Sequence, residues 1–236
     1  MKGIPREVGS LKKKQPITNS GALRLLRKRL ALDSHQKEIL VGMILGDAHL
    51  ERSGWNKKYR LQLVQGNSQK DYLFWKFEQF RNCCASAPSY QRWNRSWLIR
   101  TVSHPIFTGY AQWFYKDKRK IIPKDIINHL TPLNLAIWFM DDGALGSRGI
   151  DYILNTQSFS YEENEYLAFC LRKKFSLETV TLNRDKKWWR LYIGRKSQDT
   201  FTRLVSPYII PSMQYKLRAL DPVETTRRPL LDRVKI

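Results

Sequence analysis

Two stretches of the chain are apolar around nearly the whole circumference of a helix rather than along one stripe. "LVGMILGDA" occupies 40–48 and "LAIWFMDDG" occupies 135–143, and the eighth residue of each is an aspartate, Asp47 and Asp142. A helix apolar on every side is a buried helix. Its carbonyl end carries partial negative charge and disfavours a carboxylate. Each run therefore poses the same question, namely what offsets an acidic residue at the end of a buried helix.

The hydrophobic and polar pattern around each run repeats as well. "YRLQLVQ" (59–65) alternates as a strand, "SQKDYLFWKFEQF" (68–80) has helical spacing, and "SWLIRTV" (96–102) reads as a second strand. In the later half "DYILNTQ" (151–157), "SYEENEYLAFCLRKKF" (160–175) and "KWWRLYIG" (187–194) take the same places. Gln65 and Gln157 each precede a Ser-x-x-acid helix start, at Ser68 and Ser160. The aspartates are 95 residues apart; Lys120 follows Asp47 by 73 and Lys216 follows Asp142 by 74. Thr131 followed by Pro132 predicts the start of the second motif helix, and Ser34 caps the first. Such self-similarity predicts two α+β halves of about 95 residues in the order helix, strands, helix, strands, helix. We assign 1–34 to a basic N-terminal arm, 35–125 to the first half, 126–220 to the second and 221–236 to a tail.

Charge narrows the function. Forty-two Lys and Arg against 21 Asp and Glu give +21 in 236 residues, a field that favours polyanions and makes nucleic acid the leading partner. No long apolar span or basic amphipathic anchor points to a membrane. The three cysteines (Cys83, Cys84 and Cys170) form no zinc-binding spacing and no even disulfide framework, which fits a reducing, intracellular compartment. The first 30 residues hold nine Lys or Arg and one Glu without a secretory apolar core. They read as a phosphate-contacting arm, with an organellar targeting segment as the other reading.

If the halves are related by a pseudo-twofold axis, the motif helices pack on each other, with Gly42 and Gly46 clearing a face and Ala136 the small residue opposite. Asp47 and Asp142 then emerge side by side. Two close carboxylates do not both ionise cheaply. A divalent cation resolves the conflict, and oxygen ligands without His or Cys point to Mg²⁺, with Mn²⁺ able to substitute. Gly46 and Asp141, the neighbours of the two aspartates, complete the candidate metal set.

With these features in place, "LVGMILGDA" and "LAIWFMDDG" resemble the paired signatures of the LAGLIDADG homing endonucleases. The resemblance runs from about residue 35 to 220 and includes "IIPKDI", "LNTQSF" and "PYIIPSMQYKL". It looks most like the monomeric, single-chain, two-motif enzymes of organellar group I introns. It implies an α+β fold of two αββαββα halves, each offering a saddle-shaped antiparallel sheet to a long, weakly symmetric duplex DNA site. It implies Asp47 and Asp142 as metal ligands and Lys120 and Lys216 as active-site lysines. Polar residues near the metal-bound waters are part of the family pattern. Gln65 fits that position better than Gln157, whose pairing with it comes from the repeat.

Strand alternation supplies candidate DNA contacts. In "RDKKWWRLY" (184–192), Arg184, Lys186, Trp188, Arg190 and Tyr192 are expected on one face, and Lys187, Trp189 and Leu191 on the other. Arg60 and Gln62 alternate with Leu61 and Leu63. Arg52, Lys57, Lys58, Arg92, Arg95 and Arg100 add to the first half, and Arg148, Asn155 and Arg195 to the second. Trp93, Trp97 and Trp113 are expected to pack the core, Cys83-Cys84 to be structural, and His49 to lie near Asp47 without being a ligand. The rival readings are a maturase that binds its host intron RNA and a DNA-binding relic that has stopped cutting. A relic would be free to lose the aspartates and lysines, and all four are present.

Overall fold

The structure is a computed structural model and describes residues 21–54 and 58–218. The proposed tail, most of the arm and Lys57 lie outside the described residues. After α1 (Gly21–Arg29) the chain enters the first motif helix, α2 (Ser34–Leu45), then β1 (His49–Arg52), β2 (Tyr59–Gly66), α3 (Lys70–Gln79), β3 (Ser89–Gln91), β4 (Ser96–Arg100) and α4 (Pro105–Phe114). A small hairpin, β5 (Tyr115–Lys116) and β6 (Arg119–Lys120), and the single turn α5 (Ile126–His129) lead to the second motif helix, α6 (Pro132–Asp142). The order then recurs as β7 (Gly143–Leu145), β8 (Tyr152–Leu154), α7 (Tyr161–Phe175), β9 (Val180–Asp185), β10 (Trp188–Ile193) and α8 (Arg195–Val205), followed by 3₁₀ turns over Ser206–Tyr208 and Pro211–Lys216.

The halves match strand for strand. One antiparallel sheet is ordered β1-β2-β4-β3 and the other β7-β8-β10-β9. The motif helices form the centre, with Ile39, Leu40, Met43 and Ile44 of α2 and Leu135 through Met140 of α6 fully buried. Their close approach needs glycine. A Cβ on Gly42 would fall 2.5 Å from Asn134 O and 2.7 Å from Ile137 Cβ, so even alanine would push the helices apart.

Capping chemistry departs from expectation at two helices. Asp33, not Ser34, caps α2: its carboxylate accepts from the Gln36 N–H at 2.7 Å, while the Gln36 side chain takes the Asp33 N–H. Asp33 is the last residue with extended backbone, and Ser34 is already helical. Ser68 does not cap α3, because it sits inside a 3₁₀ turn, Asn67–Gln69, that precedes the helix. Thr131 and Ser160 cap α6 and α7 as expected, each in a reciprocal box. A cap of this kind contributes about 1 kcal/mol. Burial pushes the Cys83 and Cys84 thiols up to about 12, leaving them unreactive.

Candidate active site

α2 ends at Gly46, and Asp47 follows it. The Asp47 carboxylate accepts from the Gln65 side-chain amide at 2.9 Å, and the Asp47 main-chain N–H points to Asp141 Oδ2 at 3.4 Å. Asp142 is the last residue of α6. Burial, and then the negative charges of Asp47 and Asp141, push its carboxyl up to about 8, against the opposing pull of Lys120 and Lys216. The two helix ends thus bring Asp47 and Asp142 into electrostatic range of each other, as the repeat implied.

The lysines answer the question posed by the acidic helix ends. Lys120 Nζ donates to Gly46 O at 2.8 Å and Ala48 O at 3.3 Å, at the carbonyl end of α2. Lys216 Nζ does the same at the end of α6, to Met140 O at 2.5 Å and Asp141 O at 3.1 Å. Each ammonium satisfies carbonyls that a helix end leaves without partners and offsets the local negative potential. Lys120 arrives on the β5–β6 hairpin, whose central residues Asp117 and Lys118 have φ of 48° and 65°, the twist a two-residue hairpin turn requires. Lys216 ends the 3₁₀ turn Pro211–Lys216. Burial lowers the pKa of both, and the surrounding aspartates raise it.

Asp141 is placed differently from the expected metal ligand. Its side chain is fully buried and its Oδ1 accepts from Lys76 Nζ of α3 at 2.5 Å. Successive helical residues point about 100° apart, so Asp141 turns inward where Asp142 turns out. Gly46 O is available only as the carbonyl that Lys120 engages. Lys76 and its neighbour Tyr72, both fully buried, are site residues that the sequence reading missed. The one available signal was a lysine on the apolar face of α3, next to Tyr72, Leu73 and Phe77.

The two glutamines part company. Gln157 donates to Asp185 Oδ2 at 3.0 Å and does not reach Asp142. Asn155 comes closer: its side-chain and main-chain N–H both donate to Asp142 O, at 2.9 and 3.0 Å. The short β7–β8 hairpin brings Asn155, not Gln157, beside the helix end. His49 packs against Tyr115, with its Nδ1 3.4 Å from the Tyr115 hydroxyl.

The sheets present an open face flanking this centre. In the first, register puts Glu51 opposite Arg60 and Gln62 opposite Arg100, so these four share the face. Glu51 Oε2 accepts from Arg60 Nη2 at 2.7 Å and lies 3.5 Å from Arg100 Nε, which also donates to Gln62. One carboxylate thus orients two arginines. Arg52, paired with Tyr59, lies on the opposite face. Lys58 is exposed at the start of β2. Arg92 and Arg95 belong to the β3–β4 turn with Trp93, which is 83% exposed and not a core residue. Trp97 packs on Phe74 and Tyr90, and Trp113 on Phe114 and His129.

In the second sheet a turn interrupts the expected alternation. Lys186 has φ of 56° and lies with Lys187 between β9 and β10, so Arg184 and Arg190 are on different strands. Arg184 pairs with Trp189 and therefore shares its face, and Trp189 packs edge-on against Tyr161 of α7. Arg184 is thus on the helix-covered side. The open face carries Trp188, Arg190 and Tyr192 with Asn183 and Asp185, and Asp185 Oδ2 is 4.0 Å from Arg190 Nη1. Arg148 in the β7–β8 loop, Lys186 in the turn and Arg195 at the start of α8 are exposed.

Paired motif helices ending in carboxylates, between two four-stranded sheets, define the class, and comparison with known proteins agrees. A model of the LAGLIDADG DNA endonuclease family matches residues 37–201. The chain is 34% identical to the "probable intron-encoded endonuclease 1" of Wickerhamomyces canadensis over 84% of its own length and 91% of that protein. It is also 34% identical to the cytochrome b mRNA maturase bI2 of Saccharomyces cerevisiae, over 76% of this chain but only about half (46%) of the maturase. A structure of the homing endonuclease I-WcaI bound to its DNA recognition sequence is similar at a TM-score of 0.78 and 32% identity, covering 85% of this chain and 93% of that one. The protein belongs to the LAGLIDADG DNA endonuclease family.

Proposed function

We propose that the protein is a site-specific DNA endonuclease that hydrolyses one phosphodiester bond in each strand of a duplex with the help of divalent cations. The observation that carries this reading is the pair of acidic helix ends, Asp47 and Asp142, each with a lysine across its terminal carbonyls. Their donor set fits a hard cation. It consists of oxygen alone, and a cation would relieve both causes that push Asp142 up to about 8, first burial of its charge and then repulsion from Asp47 and Asp141. Among the described residues no group of three or more His, Cys, Asp or Glu could cage a metal. That suits Mg²⁺, which binds through one or two carboxylates together with substrate phosphate, and Mn²⁺ as its substitute.

Bound cations would neutralise phosphate charge and activate water. Asp47 and Asp142 would hold them, one set for each strand. The Gln65 amide fixes the orientation of the Asp47 carboxylate. Lys120 and Lys216 place positive charge beside the helix ends, where the transition state gains negative charge. Arg60, Gln62 and Arg100, with Arg190 and Tyr192 in the second half, form the groove-facing set. The partner we propose is double-stranded DNA, read by a monomer in an organelle. Among the described residues no helix is long and apolar enough to cross a membrane.

The 34% identity to a protein named as a maturase favours a second reading, assistance to the splicing of a host intron RNA by the same basic surface. Incubation with a library of randomised duplexes and Mg²⁺, followed by sequencing of cleaved ends, tests the nuclease. One recurrent site cut on both strands is expected. An intact library, with binding of intron RNA, would favour the maturase.

A further inference from the structure

The two motifs differ at the residue just before the catalytic aspartate, which is Gly46 in the first and Asp141 in the second. These residues meet across the helix pair. A Cβ on Gly46 would stand 2.5 Å from Asp141 Cβ and 2.7 Å from its Oδ2, so the missing side chain at 46 makes the room that the carboxylate fills. From there Asp141 reaches two partners in the first half, Lys76 Nζ through Oδ1 at 2.5 Å and the Asp47 N–H through Oδ2 at 3.4 Å. Tyr72, one turn before Lys76 on α3, reaches Ile137 O of α6 at 3.3 Å, and the Lys76 ammonium lies 4.1 Å from the centre of its ring.

The arrangement has no mirror image. Gly46 has no side chain to return the contact to the Asp142 N–H. On α7 the buried residues are Asn164, Leu167, Ala168, Cys170, Leu171 and Phe175; Asn164 is uncharged and bonds to Thr156 in its own half, and the basic residues Arg172, Lys173 and Lys174 are all exposed. A buried ion pair is a poor source of net stability, because desolvation cancels much of the attraction and apolar replacements are often neutral. What such a pair does supply is one fixed geometry.

We propose that Lys76 and Asp141 form a cross-half positioning pair that holds the Asp47 main chain in place and makes the two strand-cutting centres unequal. This rests on the nuclease reading for its consequence but not for its geometry. The pair acts through Asp47 and touches no reacting atom. It accounts for two adjacent aspartates at the end of α6: Asp142 faces the substrate side, and Asp141 faces inward to brace the other half's centre.

The test compares three variants of the full chain. Lys76→Met alone leaves a buried carboxylate unpaired, and its melting temperature is expected to fall by 10 °C or more. Lys76→Met/Asp141→Leu replaces both charges by apolar groups and is expected to melt within a few degrees of wild type. In that double variant the Asp47 amide should exchange with deuterium at least tenfold faster, read by NMR, with the Asp142 amide unchanged. On duplexes already nicked in one strand or the other, the ratio of the two single-turnover rates should shift at least tenfold. Lys76→Met/Asp141→Asn restores an acceptor for the Asp47 N–H and should recover part of both effects. Unchanged Asp47 exchange in the apolar double variant would overturn the proposal, whether or not the chain cuts DNA. A constant strand ratio, with both rates intact or falling together, would overturn its asymmetric part. If wild type cuts no duplex, the nuclease reading fails and the exchange result alone decides the positioning claim.

Discussion

The two halves share a plan and differ at the place where chemistry is expected. In the first, the Asp47 carboxylate accepts from Gln65, and the Asp47 main-chain N–H points to the Asp141 carboxylate of the other half. In the second, the contact beside the helix end goes to the Asp142 main-chain oxygen through Asn155, and Gln157 is turned to Asp185. The common parts are those that secondary structure demands, a buried helix pair and a lysine on each set of terminal carbonyls. The unequal parts are single side chains. Pseudo-symmetry therefore fixes where the carboxylates are, and a few substitutions decide how alike their surroundings remain.

That comparison can be broken at graded cost. Lys120→Met and Lys216→Met remove the element common to both halves. Each should slow single-turnover cutting by about 10² or more, the usual scale for losing a preorganised electrostatic partner, with unequal effects on the two strands. Rates within twofold of wild type would make these lysines helix-end caps alone. Gln65→Ala should cost about tenfold, as loss of an orienting hydrogen bond does, while Gln157→Ala should leave the chemical step unchanged and alter only affinity. Equal loss in both would restore the symmetric pairing that the structure denies. On the reading surface, Arg190→Ala should relax base preference at a few positions by about 1–3 kcal/mol in a selection over single-base variants. Arg184→Ala, on the helix-covered face, should not. A reversed result would mean that the β9–β10 turn is misassigned.

The smallest effect expected is on stability. Asp142 is pushed up to about 8 from an ordinary carboxylate value of 3.8. Between those values the folded chain holds a proton that the unfolded chain releases, so this group's contribution to stability falls as pH rises toward 8. Without divalent cation, wild type should lose more melting temperature between pH 6 and 8 than Asp142→Asn. Added Mg²⁺, which must displace that proton, should stabilise wild type more at pH 8 than at pH 6. Parallel pH profiles for the two proteins would contradict the assignment.

Much of this was legible in the chain because it repeats. Two apolar runs ending in aspartate, Gly42 and Gly46 on one face, the Thr131-Pro132 start and the near-equal lysine offsets are linear patterns. What was not legible depends on direction in space. Lys76 is one of 42 basic residues until α3 is laid against α6. Asp141 and Asp142 look interchangeable until the helix turns one inward. Arg184 and Arg190 share a parity that a two-residue turn cancels, because cross-strand pairing, not spacing along the chain, sets the face. Trp93 looks like core by composition, yet it sits in the β3–β4 turn and is exposed.

The central claim is that Asp47 and Asp142 perform the chemistry without contributing much to docking. Its most direct test is to measure, on the cognate duplex, single-turnover cleavage with Mg²⁺ and equilibrium binding with a non-catalytic cation such as Ca²⁺, for wild type, Asp47→Asn and Asp142→Asn. The account predicts that each variant loses double-strand cleavage while its affinity stays within a few-fold of wild type. A variant that still cuts both strands at the wild-type rate would contradict it.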